Sequence, residues 1–351
     1  MGASMPSNID YESSGVSLSA AEEAVKRIGA LAARTYRGGV LAGVGPFAGL
    51  LALDANEYTE PVLVTSADGV GTKLKLAFMT GRHETVGTDL VNHCVNDIIT
   101  CGARPLAFLD YLSMGKLEPE VAERIVAGIA TACKENKMSL LGGETAEMPG
   151  LYRAGEYDVA GFILGIIEKS EIIDGSQVRP DDMLVGLAST GPHTNGYSLI
   201  RKIVLDRGKF SLEEKPEELK CTIGEALLAP HKSYLKDLKR ARNSFEILGC
   251  AHITGGGIGA NLSRILPEGC QALIDSTKWE IPAVFRWLQA VGGVTNEEMF
   301  RVFNMGIGFI LIVRQDEGAK LVDFFAEQGT GAYLIGHIAE GSRRVRLVTP
   351  G

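Results

Sequence analysis

Paired cysteines are missing. Six cysteines stand at positions 94, 101, 133, 221, 250 and 270, and no two form a Cys-x-x-Cys pair. That spacing argues against a structural zinc site or a disulfide framework, and the apolar settings of several of them read as reduced, buried thiols. Long apolar runs are missing too: stretches such as Phe162 to Ile167 and Phe309 to Val313 fall far short of the roughly 20 residues that span a bilayer, and read as buried strands. The start, Met1 to Pro6, has no basic segment followed by an apolar core, and Pro6 spoils a myristoylation pattern, so cytoplasmic residence is the expectation. Nor is there a surplus of positive charge. A formal charge of −8 excludes a general nucleic-acid surface and leaves room for a local basic pocket that takes a small anion.

What is present is length, apolar content and glycine. With 351 residues, 45% of them hydrophobic, the chain can bury substantial cores, and its length favours two domains over one. Glycine, at 43 residues, is about 12% of the chain against a usual level of about 7%, scattered as punctuation between apolar segments. Such spacing suits many backbone-lined loops.

Strand and helix patterns alternate, an α/β arrangement. Ser19 with Glu22 reads as a capping box before a helix with Val25, Ile28 and Ala32 inward, after an arm over residues 1–18. A glycine-rich segment from Gly38 to Gly49 precedes strands at Leu50 to Leu53 and Pro61 to Ser66, and a short helix from Leu74. Then come a helix over Asp89 to Cys101, a strand over Pro105 to Leu112, a helix over Pro119 to Asn136, a strand over Met138 to Leu141, a glycine-acid loop to Gly150 and a strand over Val159 to Ile167. The polar stretch Asp174 to Asp182 marks the boundary between domains 1–173 and 174–351. The second series has strands at Leu184 to Ala188, Ala251 to Thr254, Gly308 to Val313 and Tyr333 to Ile338. Its helices fall near Tyr197 to Leu205, Tyr234 to Ala241, Ile258 to Ile265 and Pro282 to Ala290, with an exposed loop over 209–220.

Chemistry concentrates in five places. Asp68-Gly69-Val70-Gly71-Thr72-Lys73 joins a carboxylate, two glycines, a hydroxyl and a lysine, the parts needed to hold a phosphate chain and its metal. Its spacing departs from a Walker A loop, and an ordinary strand-to-helix turn is the alternative. On the following helix, Asp89, Asn92, His93, Asn96, Asp97 and Thr100 share one face opposite Leu90, Val91, Cys94, Val95, Ile98 and Ile99. That polar face holds no lysine, arginine or glutamate and could line a magnesium-phosphate site, or be an exposed or interface face. Glu144 and Glu147 follow Gly142 and Gly143, where backbone and carboxylate could meet a ligand together, or where two acids are simply solvated in a turn. Ser189 to Ser198, with Gly191, His193 and Asn195, resembles an anion-receiving strand-to-helix turn, in which His193 could orient a substrate or transfer a proton. Gly255-Gly256-Gly257, before Ile258, repeats the theme of strand, glycine loop and helix.

Taken in order, Asp68 to Lys73, Gly87 to Asp97, Gly142 to Gly150, Tyr157 to Ile167, Ser189 to Lys202 and Ala251 to Pro267 resemble the aminoimidazole ribonucleotide synthetase (phosphoribosylformylglycinamidine cyclo-ligase) family of purine biosynthesis, over nearly the whole chain. Tyr11 with Ser14-Gly15-Val16, and Phe303 to Gly308, are similar to further family blocks. Departures are local: Asn92 and His93 stand where the family pattern has alanine and methionine, and the loop Gly43 to Gly49 is altered.

The resemblance implies two α/β domains, with amino-terminal mixed sheets joined into a barrel across a homodimer and a carboxy-terminal sheet flanked by helices. It implies an ATP- and magnesium-dependent ring closure. The formyl amide oxygen of formylglycinamidine ribonucleotide takes the γ-phosphoryl group of ATP, an amidine nitrogen attacks the activated carbon, and phosphate leaves. On that basis Asp68, Asp89, Asp97 and Glu144 are the expected metal ligands. Gly69, Gly71, Thr72, Lys73, Gly142 and Gly143 line the nucleotide phosphates, with Lys73 supplying charge. Gly191, His193, Asn195, Ser198, Gly255, Gly256 and Gly257 hold the substrate, and His193, Lys73 and Asp97 are the catalytic candidates. Related alternatives are a thiamine-phosphate kinase or selenophosphate synthetase, which the absence of an amino-terminal cysteine disfavours for selenium chemistry, and a catalytically silent nucleotide-binding dimer.

Overall fold

The computed structural model describes residues 12, 14–54 and 56–348. Tyr11 lies outside them, as does most of the expected arm. Helix α1 (Leu18–Ala33) is capped by Ser17, whose hydroxyl accepts from the Ala20 amide, so the cap falls two residues before the expected Ser19. Its buried stripe is Ala24, Ile28 and Ala32, while Val25 faces outward. Two short strands, β1 (Val40–Ala42) and β2 (Leu50–Leu51), form a hairpin across the glycine-rich segment.

A four-stranded sheet follows, in the order β3 (Pro61–Gly69), β6 (Tyr157–Glu168), β4 (Arg104–Met114) and β5 (Ser139–Glu147). Only β4 and β5 run parallel. β5 continues through Glu147, so the expected Gly142–Glu147 loop is strand: Gly142 and Gly143 pair with Leu109 and Asp110. Between these strands lie α2 (Leu74–Thr80), α3 (Glu84–Ile99) and α4 (Pro119–Glu135). α3 and α4 touch closely because both carry glycine at the crossing: a Cβ on Gly87 would collide with the Ile125 carbonyl, and one on Gly128 with that of Glu84. The sheet buries Phe108 and Leu112 beneath these helices and leaves Leu63, Leu109 and Phe162 exposed.

The second half forms a six-stranded sheet in the order β12 (Val345–Val348), β9 (Cys270–Asp275), β11 (Ala332–Glu340), β7 (Met183–Ala188), β10 (Ile307–Val313) and β8 (Gly249–His252). All pairs are antiparallel except β12 with β9. Its helices are α5 (Tyr197–Arg201), continued by a π-helical turn over Lys202–Arg207, then α6 (Ile223–Leu227), α7 (Leu235–Arg242), α8 (Gly257–Leu262), α9 (Ala283–Gly292), α10 (Asn296–Val302) and α11 (Gly318–Glu327).

β10 is apolar at nearly every position because both its faces are covered. Ile310 and Ile312 enter one core with Phe285, Phe303 and Trp279. Phe309, Leu311 and Val313 enter the other, which continues without a break into Leu90, Cys94 and Ile98 of α3. The two halves therefore share a core. Among the described residues no helix is long and apolar enough to cross a membrane.

Candidate active site

The polar face of α3 resolves into two parts. Asp89, Asn92 and Asn96, three and four residues apart, form one stripe. An irregular stretch, residues 229–234, runs along it. Asp89 Oδ1 accepts from the His231 amide at 2.7 Å, and Asn92 Nδ2 donates to the His231 carbonyl at 2.7 Å. Asn96 Oδ1 accepts from the Tyr234 amide at 2.9 Å while its Nδ2 donates to the Lys232 carbonyl at 2.8 Å. Asn136 ties in from α4, donating to Asn92 Oδ1 and accepting from the Ser233 hydroxyl. Side chains here complete the hydrogen bonding of a buried backbone that has no sheet to join. Short amides and carboxylates are required because the chain passes so close, which accounts for the missing lysine, arginine and glutamate.

Asp89 is accordingly not available as an open metal ligand. Its side chain is fully buried and its Oδ2 lies 2.6 Å from the Lys73 ammonium, the one ion contact that serves this oxygen among the described residues. Lys73, expected to face phosphate, is itself fully buried and donates to the carbonyls of His193 (2.9 Å) and Ala229 (3.1 Å). Burial pushes the ammonium down and the carboxyl up, and each is pulled back by the other's charge. Three oxygens around one ammonium make a joint between the halves rather than a phosphate finger.

The second part of the face opens onto a cluster of imidazoles. Four of the six histidines of the chain meet here: His93 from α3, His193 and His231 from loops, and His252 from the end of β8. Asp68, at the end of β3, meets His93 Nε2 at 2.8 Å, and Asp97 Oδ1 meets His252 Nδ1 at 2.8 Å. Burial pushes both carboxyls up, but the hydrogen bond and charge of the facing imidazole outweigh it and hold each below its usual range. Their side chains keep 41% and 31% exposure, so both can also meet a ligand.

His193, the expected proton carrier, is wholly buried. Its ring stacks on His231 at 4.0 Å between centroids, and its Nε2 accepts from the Thr190 amide. Burial, then the neighbouring positive groups, hold its pKa well below the ordinary histidine value. The ring is neutral and turned inward, so in this arrangement it positions the loop rather than reaching a ligand.

The glycine loops do come together on the open side. Thr72 and Ser198 hydroxyls lie 3.1 Å apart across the two halves, both exposed, beside exposed Gly71. Asn195 holds its Oδ1 where a Cβ on Gly255 would touch it, and its Nδ2 is a buried donor with no partner among the described residues. Gly191 and Gly256 take positive φ values, and Gly257 is a packing glycine: a side chain there would strike the Phe300 carbonyl. Gly69 closes β3 and turns its amide onto Asp68 Oδ1.

Glu144 does not join this centre within the chain. Gly69, Ala160, Tyr111 and Glu144 stand in one row across the sheet, so three interstrand steps, about 14 Å, separate it from the Asp68 end. With Gly142 and Gly143 it lines a separate cavity of about 420 Å³ closed by the Gly43–Gly49 loop. Glu147 is structural, accepting from the Ser17 and Leu117 amides.

His231 and His252 are the residues that sequence reasoning does not single out. His252 carried a signal, a polar residue at the strand end directly before a glycine loop. His231, in an irregular stretch, carried none.

The N-terminal domain of AIR synthase related protein matches residues 48–167, and the C-terminal domain matches residues 179–348. Phosphoribosylformylglycinamidine cyclo-ligase of Myxococcus xanthus (strain DK1622) is 49% identical over 96% of this chain and 98% of its own. That of Thermodesulfovibrio yellowstonii is 46% identical over 95% and 97%. Among solved structures, thiamine-monophosphate kinase from Stenotrophomonas maltophilia K279a aligns over 93% of this chain and 95% of its own at a TM-score of 0.70 and 19% identity. Hydrogenase maturation protein HypE in complex with ATP aligns over 90% and 88% at 0.65 and 18%. The latter two share the fold alone. By both matched domains and by near-half identity along almost its entire length, the chain belongs to the AIR synthase related protein family.

Proposed function

We propose that this chain is an ATP-dependent cyclo-ligase that converts formylglycinamidine ribonucleotide into 5-aminoimidazole ribonucleotide, with ADP and phosphate, in the cytoplasm. The observation that carries the reading is the pair Asp68 and Asp97, half-open and held below the usual carboxylate range by His93 and His252, with His93 bonded to Thr194 in the loop that carries Asn195 and Ser198. Two carboxylates that keep free lone pairs suit magnesium, whose preferred partners are carboxylate, water and phosphate oxygens. Bound there, the ion would neutralise charge on the transferring phosphoryl group. The chain's own task is alignment. Asp68 and Asp97 are held by His93 and His252, and the unpartnered Asn195 amide and the loop amides around Gly255 offer donors to a ribonucleotide phosphate. Lys73 and His193 contribute by fixing the Gly191–Ser198 loop from beneath.

A homodimer belongs to the same reading, with residues 1–173 as the dimerising half and 174–351 as the substrate half. Exposed Leu109 and Phe162 pair across the sheet with Ala67 beside them, an apolar strip on the face away from the helices. Glu144, near the opposite edge, would then serve a site completed by the partner subunit.

The test supplies formylglycinamidine ribonucleotide, ATP and magnesium and measures aminoimidazole ribonucleotide and ADP together. Stoichiometric formation of both, with a loss of at least 100-fold in Asp97→Asn, is expected. ATP binding without imidazole product, or phosphorylation of thiamine monophosphate instead, overturns the proposal.

A further inference from the structure

His93 and Asp97 are one helical turn apart on α3, and His252 reaches them from β8 in the other half of the chain. One ligand atom from each lies within 4.8 Å of the other two. Each side chain is also anchored from behind. His93 Nδ1 is bonded to the Thr194 hydroxyl at 2.5 Å, Asp97 Oδ2 accepts from the Ser66 hydroxyl at 2.9 Å, and His252 Nε2 faces His231 Nε2 at 3.1 Å. Three inward atoms remain, each in a hydrogen bond that an entering ion would replace: His93 Nε2 with Asp68, and Asp97 Oδ1 with His252 Nδ1. The last two are 2.8 Å apart, a hydrogen-bond distance a few tenths of an ångström short of the roughly 3.0–3.4 Å between adjacent ligand atoms around an ion held at about 2.1 Å, so a small outward shift admits one. Asp68 Oδ2, 2.8 Å from His93 Nε2, stands ready as a further oxygen.

The hydrogen-bond count calls for a positive charge at this point. Asn96 has its amide orientation fixed by Tyr234 and Lys232, so its remaining N–H points at His231 Nε2, 3.1 Å away, and makes that nitrogen an acceptor. His252 Nε2, 3.1 Å from the same nitrogen, then avoids facing lone pairs only by bringing an N–H that shares the single His231 lone pair with Asn96. The Nδ1 of His252 also faces a carboxylate oxygen. Either His252 carries two protons in a fully buried setting, or its Nδ1 lone pair meets a cation and Asp97 shares it. With a cation every lone pair in the group has a partner.

We infer that His93, Asp97 and His252 form a binding site for a borderline first-row divalent ion of the zinc and cobalt class, held without nucleotide and linking the two halves of the chain. Two imidazoles and a carboxylate select such an ion over magnesium, which favours oxygen. The anchoring contacts supply the outer support that metal-binding histidines need. The site does not depend on the ring-closing reading. It shares Asp97 with the magnesium-phosphate position, so the borderline ion and the magnesium nucleotide compete for one carboxylate.

The test is a titration of chelator-stripped, full-length protein with Co²⁺ in the absence of nucleotide, followed by visible absorption and by metal counting after gel filtration. Expected are one equivalent of Co²⁺ per chain with imidazole-type ligand-field bands, stoichiometric displacement by Zn²⁺, none by excess Mg²⁺, and a rise in melting temperature. His93→Gln and His252→Gln each weaken Kd at least tenfold, whereas His83→Gln, outside the cluster, leaves it unchanged. Absence of saturable binding by the unaltered chain overturns the inference, as does an unchanged Kd in folded His93→Gln. Imidazole formation with magnesium is scored separately, so either reading can fail alone.

Discussion

Asp110 has the most unusual setting of any carboxylate outside the active site. It lies beneath α4, in the layer that holds Cys133, and burial raises its pKa to about 7. Unfolded, it titrates near 3.8. Between those values the folded chain binds the extra proton, so this group's contribution to stability is present at low pH and is lost as pH rises towards 7. The ceiling is about 4 kcal/mol. Asp110→Asn is expected to raise stability at pH 8 and to change it little at pH 4, as read by urea unfolding at both values. Lys73 gives the opposite lesson. Lys73→Met strands Asp89 as a buried, unpaired acid, with an expected loss of about 3–5 kcal/mol. Pairing it with Asp89→Leu should return part of that loss, a comparison that urea midpoints decide. A lysine beside two glycines looked like a phosphate ligand in sequence. Only the tertiary approach of His193 and Ala229 shows where its ammonium goes.

Among the elements, those with a full apolar period or an explicit cap were legible. The strands at Val159 to Ile167 and Gly308 to Val313, and the helix opened by Pro119, lie where composition places them. Those whose character comes from a neighbour were not. β5 runs on through Gly142–Glu147 because β4 supplies a partner, overriding a sequence that reads as a turn. The polar face of α3 was correctly seen as unusual, yet its chemistry is divided between binding backbone and holding the site, which depends on a segment about 140 residues away. The α3–α4 crossing is testable at this scale. Gly87→Ala is good for an isolated helix but meets the Ile125 carbonyl, so a net destabilisation of about 2–3 kcal/mol is expected, measurable by chemical denaturation.

On the scale of the molecule, the α/β character and two successive series of strands and helices were readable from alternation, while the sheet of each half was what the family resemblance implied. The continuous core between the halves was not readable, since no local pattern reports which outer face a sheet will share. The proposed subunit contact is tested on the strip around Phe162. Phe162→Asp should shift the sedimentation coefficient from dimer to monomer at micromolar concentration and lower turnover with it, while leaving the far-ultraviolet dichroism unchanged. A dimer that survives this charge would place the interface elsewhere.

The backbone stretch gripped by α3 also sets a schedule for biosynthesis. Asp89 is made 142 residues before the amide it receives. At about 5–20 residues per second, a nascent chain carries that carboxylate and its neighbouring amides unmatched for roughly 7–28 s. During that interval Lys73 lacks both its carbonyl partners, which come from residues 193 and 229. The amino-terminal half thus reaches its final form after translation has passed residue 234, and until then it is a natural client for whatever shields incomplete chains.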